Sequence, residues 1–286
     1  MSAVVRVGVS GWTYPPWRGV FYPAGLPHRA ELGYLAGRLS TVEVNGSFYS
    51  LQRPSSYQGW REQTPEGFVL AVKGGRFVTH MKKLRDVRVP LANFLASGVL
   101  ALGDKLGPLL WQLPPMLGYD AGRLADFCAL LPPTTAAAAR LAAEHDGRLG
   151  DRVWTTTDAD RPLRHALEVR HGSFGRHADE LADLLRRYGV ALVVADTAGK
   201  WPLLKYVTAD FAYVRLHGDV ELYTSGYTDD ALDRWAAEVA GWQSGTATPD
   251  GVGRDVFVYF DNDVKVRAPF DAMALAERLG VGAAAG

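Results

Sequence analysis

Short runs of β-branched and apolar residues, each closed by polar or turn-forming residues, recur along the chain. Residues 4–10, 41–47, 68–73, 108–113, 165–170, 191–196, 211–217 and 256–263 read as eight strands. The intervals between them carry a helical period. Leu32, Leu35, Ala36 and Leu39 mark a helix over 29–39, and further helical stretches fall at 55–63, 91–102 and 121–130. Leu181, Leu184 and Leu185 mark 178–188, and Leu232, Trp235, Val239 and Trp242 mark 229–242. Residues 269–279 open with Pro269, a residue suited to the first turn of a helix. Strands alternating with helices specify parallel β-α-β units, and eight such units close into a (β/α)8 barrel, a TIM-type α/β fold spanning 1–286 as one domain. Two departures are expected. Between Asp196 and Phe211 there is room for only a short sixth helix. Residues 132–162, with an Ala-rich helix at 134–143, read as a solvated insertion before the fifth strand. Residues 280–286 read as a frayed tail.

Composition narrows the function. Thirty-one basic residues balance 31 acidic ones, so the chain lacks the overall positive field of a non-specific nucleic-acid binder. A local basic cleft stays open. The one cysteine, Cys128, sits in an apolar run and is expected in the core; with no intrachain disulfide to form, the chain suits a reducing compartment. No apolar run reaches the roughly 18–20 residues needed to span a bilayer, and the N-terminus lacks a signal-peptide pattern. A cytoplasmic protein with no membrane partner is expected.

In a barrel of this type, function lies at the C-terminal strand ends, and side chains alternate along each strand. The polar residues follow that rule. Glu43, Asn45 and Ser47 share one face of the second strand; Lys73 ends the third; Gln112 lies on the fourth. Glu168 and Arg170 share a face of the fifth, Asp196 ends the sixth, and Tyr213, Arg215 and His217 share a face of the seventh. Asp261, Asn262 and Asp263 end the eighth, with the inward-pointing member left open. Buried charges are costly unless paired, so this set reads as a functional pocket, with a structural ion network such as Glu168 with Arg215 as the alternative.

These residues sit in longer motifs. GVSGWTYPPWRGVFYP (8–23), VEVNGSFYSLQRP (42–54), FVLAVKGGRFVTHMKKL (68–84), LGPLLWQLPP (106–115), LEVRHGSF (167–174), YVRLHGDVELYTSGYTDDALDRWA (213–236) and VYFDND (258–263) together resemble the YecE-like family, domain of unknown function 72. The resemblance implies a (β/α)8 barrel similar in outline to the xylose isomerase and endonuclease IV type. It carries the family's polar set onto Glu43, Asn45, Lys73, His80, Gln112, Glu168, Arg170, Asp196, Arg215, His217, Asn262 and Asp263. This chain departs from the family at Asp261, where asparagine is common, and in the longer 132–162 segment.

The residues admit more than one chemistry. Glu168, Asp196, His217 and Asp263 are carboxylate-rich with one histidine, a set suited to a divalent cation such as Mn, Mg or Zn. Without a metal, Lys73, Arg170 and Arg215 would clamp a phosphate or carboxylate, while His217 or Glu168, with Glu43 and Asp196, serves as general acid or base. Gly74 and Gly75 would cradle an anion or simply make a turn. Trp12, Tyr14 and Tyr227 are candidate ligand-stacking rings, and His80 reaches the rim. Trp60, Trp235 and Trp242 lie on helical stripes and are expected in the core. The leading expectation is a hydrolase- or isomerase-type enzyme acting on an anionic small molecule or nucleic-acid fragment. The alternative is a non-catalytic nucleic-acid-binding barrel using the first-loop aromatics and the basic residues of 78–88.

Overall fold

The computed structural model describes residues 3–283, and of the tail expected at 280–286 the last three residues lie outside them. Helix α10 (Ala268–Arg278) is continued by a turn in which the Gly280 amide donates to the Glu277 carbonyl, so the described part of that tail is tied down. Nine strands occur among the described residues, and every pairing given for them is parallel. No helix among the described residues is long and apolar enough to cross a membrane.

The chain groups into two compact units. The first comprises Met1–Glu43, Thr64–Phe68 and Ala191–Gly286. In it, β1 (Val5–Ser10) pairs on one side with β2 (Thr41–Val44) and on the other with β9 (Asp255–Phe260). β9 pairs with β8 (Phe211–Leu216), and β8 with β7 (Val194–Asp196). Gly8 lets β1 and β2 approach, because a Cβ there would lie 2.0 Å from the Thr41 carbonyl oxygen. α1 (Glu31–Ala36), α9 (Asp229–Ser244) and α10 supply the helices. Thr228 caps α9 by accepting from the Ala231 amide, and left-handed Gly245 ends it. Trp235 and Trp242 of α9 are buried as their spacing predicts.

The second unit comprises Val44–Gln63 and Val69–Val190. Here β3 (Val69–Lys73), β4 (Leu106–Gln112) and β5 (His165–Glu168) pair in that order. α2 (Gly46–Tyr49), α3 (Pro54–Glu62), α4 (Arg88–Ala96), α5 (Ala121–Leu130), α6 (Thr135–Ala142), α7 (Ser173–Arg176) and α8 (Ala178–Tyr188) belong to it. Its core is built around Trp111, which meets Phe94 and Phe127 edge-on and donates to His165 Nδ1. His165 is therefore a packing residue, and Cys128 is buried as expected.

Four expectations need correction. The second strand ends at Val44, because Asn45 turns to helical geometry (φ −94°, ψ −21°) and α2 follows. The sixth strand is interrupted at Val193, giving β6 (Val190–Leu192) and β7. No sixth helix forms; residues 197–210, with left-handed Ala198 and Gly199 and then Pro202, stay irregular. Finally, the 132–162 segment is not merely solvated. Ala138, Leu141, Ala142 and Leu149 are buried, α6 packs on α4, and the Trp154 amide donates to the Ala96 carbonyl.

Candidate functional site

Strand ends of the first unit carry a buried polar network centred on Arg215. Tyr213 and Arg215 project from one face of β8, as their alternation predicts, His217 follows just past its end, and all three are buried. Arg215 Nε donates to Glu43 Oε2 at 3.1 Å, and Nη2 lies 2.8 Å from Ser10 Oγ, 2.9 Å from Glu43 Oε1 and 2.9 Å from Asp261 Oδ2. Two N–H bonds on Nη2 thus face three oxygens. Glu43 also accepts from Ser10 Oγ (2.5 Å) and from the Tyr213 hydroxyl (2.6 Å), so both its oxygens are occupied. Arg215 Nη1 stands 3.3 Å from His217 Nε2. An arginine can only donate, so Nε2 offers its lone pair and the proton of a neutral imidazole sits on Nδ1. Nδ1 lies 3.0 Å from Asp261 Oδ2, off the axis of a straight hydrogen bond.

Within this unit Arg215 is matched by Glu43 and Asp261. Asp261, whose inward placement was left open by the sequence, is the strand-eight residue that enters the network. Asn262 turns the other way, donating to Asp271 Oδ2 (2.8 Å) and to the Ser225 carbonyl. Asp263 returns toward Asp261 and Tyr14. Burial first, and then the Asp261 charge, push its carboxyl well above the usual aspartate range. Its Oδ1 is buried with no hydrogen-bond partner. Tyr14 donates to the Ser10 carbonyl, and its phenol is raised chiefly by burial, then by Asp263.

Asp196 occupies separate surroundings. Its Oδ2 accepts from the Tyr227 hydroxyl at 3.1 Å, and burial raises its carboxyl pKa. Tyr227 is buried and its oxygen also accepts from the Gly218 amide, so this ring is a structural pin. Most first-loop aromatics serve as packing: Trp17, Phe21 and Tyr22 are buried against one another, while Trp12 and Tyr14 stay half-buried.

The second unit holds a cationic group. Arg170 Nε donates to Glu168 Oε1 at 2.6 Å, with Glu168 fully buried. Lys73 Nζ stands 4.5 Å from the Phe48 ring centroid, and His80 meets the same ring edge-on. His80 accepts or shares a hydrogen bond with Thr79 Oγ1 through Nδ1 (2.9 Å). Burial, followed by the Lys73, Arg170 and Arg76 charges, lowers its pKa to about 4. Gln112 is buried at the end of β4. Asn45 is half-buried outside the strand, whereas Ser47 Oγ donates to the Lys73 carbonyl. Gly74 serves packing: a Cβ would sit 2.2 Å from the Trp111 ring.

Among the described residues no three His, Cys, Asp or Glu side chains converge in a way that could hold a metal ion. The set Glu168, Asp196, His217 and Asp263 therefore does not assemble as a centre. Asp196 faces Tyr227, and His217 faces Arg215 and Asp261. Sequence reasoning undervalued Ser10, Tyr213 and Asp261. The first two were legible as in-phase neighbours of Glu43 and Arg215; Asp261 depended on a bend at the strand end.

A family model described as a protein of unknown function, DUF72, matches residues 6–285. The chain belongs to the DUF72 family. Escherichia coli K12 YecE, a UPF0759 protein, is 27% identical over 115 residues, which are 40% of this chain and 39% of that relative's length. A DUF72 family protein from Thermotoga maritima is similar in structure, with a TM-score of 0.72 and 24% identity over 97% of this chain and 99% of the other. One from Enterococcus faecalis gives 0.73 with 15% identity over 99% of each. The likeness shows the fold, a TIM-like α/β barrel.

Proposed function

We propose that this DUF72 protein is an enzyme working by acid/base chemistry, with Asp263 as proton donor and the Asp261 carboxylate, which His217 Nδ1 faces, as acceptor. The observation that carries the reading is the Asp263 carboxyl: raised in pKa, with one oxygen buried and unpartnered. Leaving such an oxygen unpaired costs free energy, and perturbed groups of this kind concentrate at functional sites. One Arg215 cation faces the Glu43 and Asp261 carboxylates, which favours a third carboxyl keeping its proton. Glu43, hydrogen-bonded by Ser10, Tyr213 and Arg215, positions Arg215.

Within the second unit taken by itself, the Lys73, Arg170 and Arg76 cations act on His80 against one carboxylate, Glu168, which supports binding of a phosphate- or carboxylate-bearing anion by that unit. A single cysteine, with no intrachain disulfide to form, supports a reducing, cytoplasmic setting. The rival nucleic-acid-binding reading loses support, since Trp17, Phe21 and Tyr22 of the first loop are interior.

The test is carbon-13 NMR titration of the Asp263 carboxyl, followed by a panel of p-nitrophenyl phosphates and esters. A midpoint above the usual aspartate range is expected, and Asp263→Asn should cut any turnover by roughly 10²–10⁴-fold while the fold is kept. An ordinary aspartate midpoint, or undiminished turnover in Asp263→Asn, overturns the reading.

A further inference from the structure

A groove of about 400 Å³ opens in the second unit beside α2 and the turn after β3. Buried Phe48, Phe94 and Val78 contribute to its lining. Four more large apolar side chains line it while facing water: Tyr49 is 71% exposed, Met81 63%, Leu51 39% and Phe77 36%. Single exposed apolar residues are ordinary, but a contiguous concave set marks a surface that something covers.

The charge along the groove has one sign. Arg76 and Arg148 line it, and no carboxylate does. The Arg148 guanidinium stands 5.7 Å from the Phe77 ring centroid. Its acidic contact is Asp146, two residues away at 3.2 Å, an exposed pair of the kind that water and salt screen. Arg76 is exposed and makes no ion pair among the described residues. Rings beside guanidinium groups favour a flat, electron-rich body carrying negative charge.

We infer that this groove binds an amphipathic anion, its aromatic or apolar body packed on Tyr49 and Phe77 and its phosphate, carboxylate or sulfonate held by Arg76 and Arg148. A bare inorganic anion would leave the rings in water. A neutral apolar molecule would leave Arg76 without an acidic partner and Arg148 with only its screened contact to Asp146. The volume fits a small molecule. No residue of the groove belongs to the Arg215 network, so the inference does not rest on the acid/base chemistry, although Arg76 is shared with the cationic group around His80.

The probe is 8-anilinonaphthalene-1-sulfonate, titrated by fluorescence into the full chain, with uncharged N-phenyl-1-naphthylamine as counter-probe. Saturable binding at one site is expected. Arg76→Ala with Arg148→Ala should weaken the sulfonate by about tenfold, the loss of one or two charge-assisted hydrogen bonds, and leave the neutral dye within about twofold. Phe77→Ala should weaken both dyes. All these side chains are exposed, and an unchanged far-ultraviolet circular dichroism spectrum verifies folding. Displacement of the sulfonate by adenosine monophosphate supports the inference with a nucleotide-like ligand; displacement by dodecanoate supports it with a fatty-acid-like one. Non-saturable binding, an unchanged sulfonate affinity in the double arginine variant, or equal displacement by inorganic phosphate alone overturns it.

Discussion

Arg215 Nη2 lies 2.9 Å from Glu43 Oε1, and neither side chain reaches solvent. Removing one member of a buried pair leaves the other charge inadequately matched, which costs about 3–5 kcal/mol, whereas replacing both with apolar residues is often far milder. Glu43→Leu should therefore destabilise the protein by about 3 kcal/mol in urea denaturation, toward the lower end because Asp261 still faces Arg215. Glu43→Leu combined with Arg215→Met should recover part of that loss. Additive single-variant costs would argue against direct coupling.

Asp263 makes stability fall with rising pH. Its folded pKa is raised above the unfolded value, so the native state holds a proton that the unfolded chain has already lost. The contribution is complete below about pH 4, the unfolded aspartate range, and disappears as pH climbs through the folded pKa. Asp263→Asn cannot ionise. Its stability relative to the native sequence should improve steadily between pH 4 and 8, and denaturation midpoints across that range measure it. A constant difference would show that the carboxyl is not perturbed.

His80 acts in the opposite direction. Its folded pKa of about 4 lies below the ordinary histidine value, so the unfolded chain takes up a proton first and stability falls as pH drops from about 6.5 toward 4. Proton NMR of the imidazole should show a midpoint near 4. Lys73→Met removes the strongest charge effect after burial itself and should move that midpoint upward; an unmoved midpoint would mean Lys73 does not act on His80.

Gly74→Ala would place a methyl carbon 2.2 Å from the Trp111 ring, which is itself held by Phe94, Phe127 and His165. Overpacking of this kind costs about 1–3 kcal/mol. The loss should appear in thermal melts with no change in affinity for phosphate. Weaker phosphate binding at unchanged stability would instead favour the anion-cradle role.

Burial pushes the Cys128 thiol up to about 12. Reaction requires the thiolate and access to it. An aromatic disulfide reagent at pH 8 should therefore label Cys128 only as fast as the protein opens, and labelling should become rapid in denaturant. Immediate reaction in the native state would contradict its burial.

Much of the fold was legible because the governing signals are local. Alternation along residues 211–217 put Tyr213, Arg215 and His217 on one face; the backbone keeps Tyr213 and Arg215 there, and His217 follows just past the end of β8. The α5 and α8 patterns match the observed helices, since capping and periodicity act within a few residues. Reading failed where strands end. Asn45 has the right parity for the second strand's inner face, yet the chain turns helical at that residue. Arg170 follows β5 instead of extending it, and its nearest acid is its own strand's Glu168.

The sequence by itself determined the alternation of elements, the face each strand side chain takes and the membership of most of the polar set, because period-two and 3.6-residue patterns are properties of contiguous chain. Only the tertiary structure decided who pairs with whom. Glu43 and Arg215 lie 172 residues apart, so their match depends on how β1, β2, β8 and β9 are laid side by side. The same packing selects Asp261 over Asn262 for the network, sets the proton of His217 on Nδ1 and buries the Oδ1 of Asp263. Charge, tautomer and pKa are set by neighbours in space, and those neighbours exist only once the strands have met.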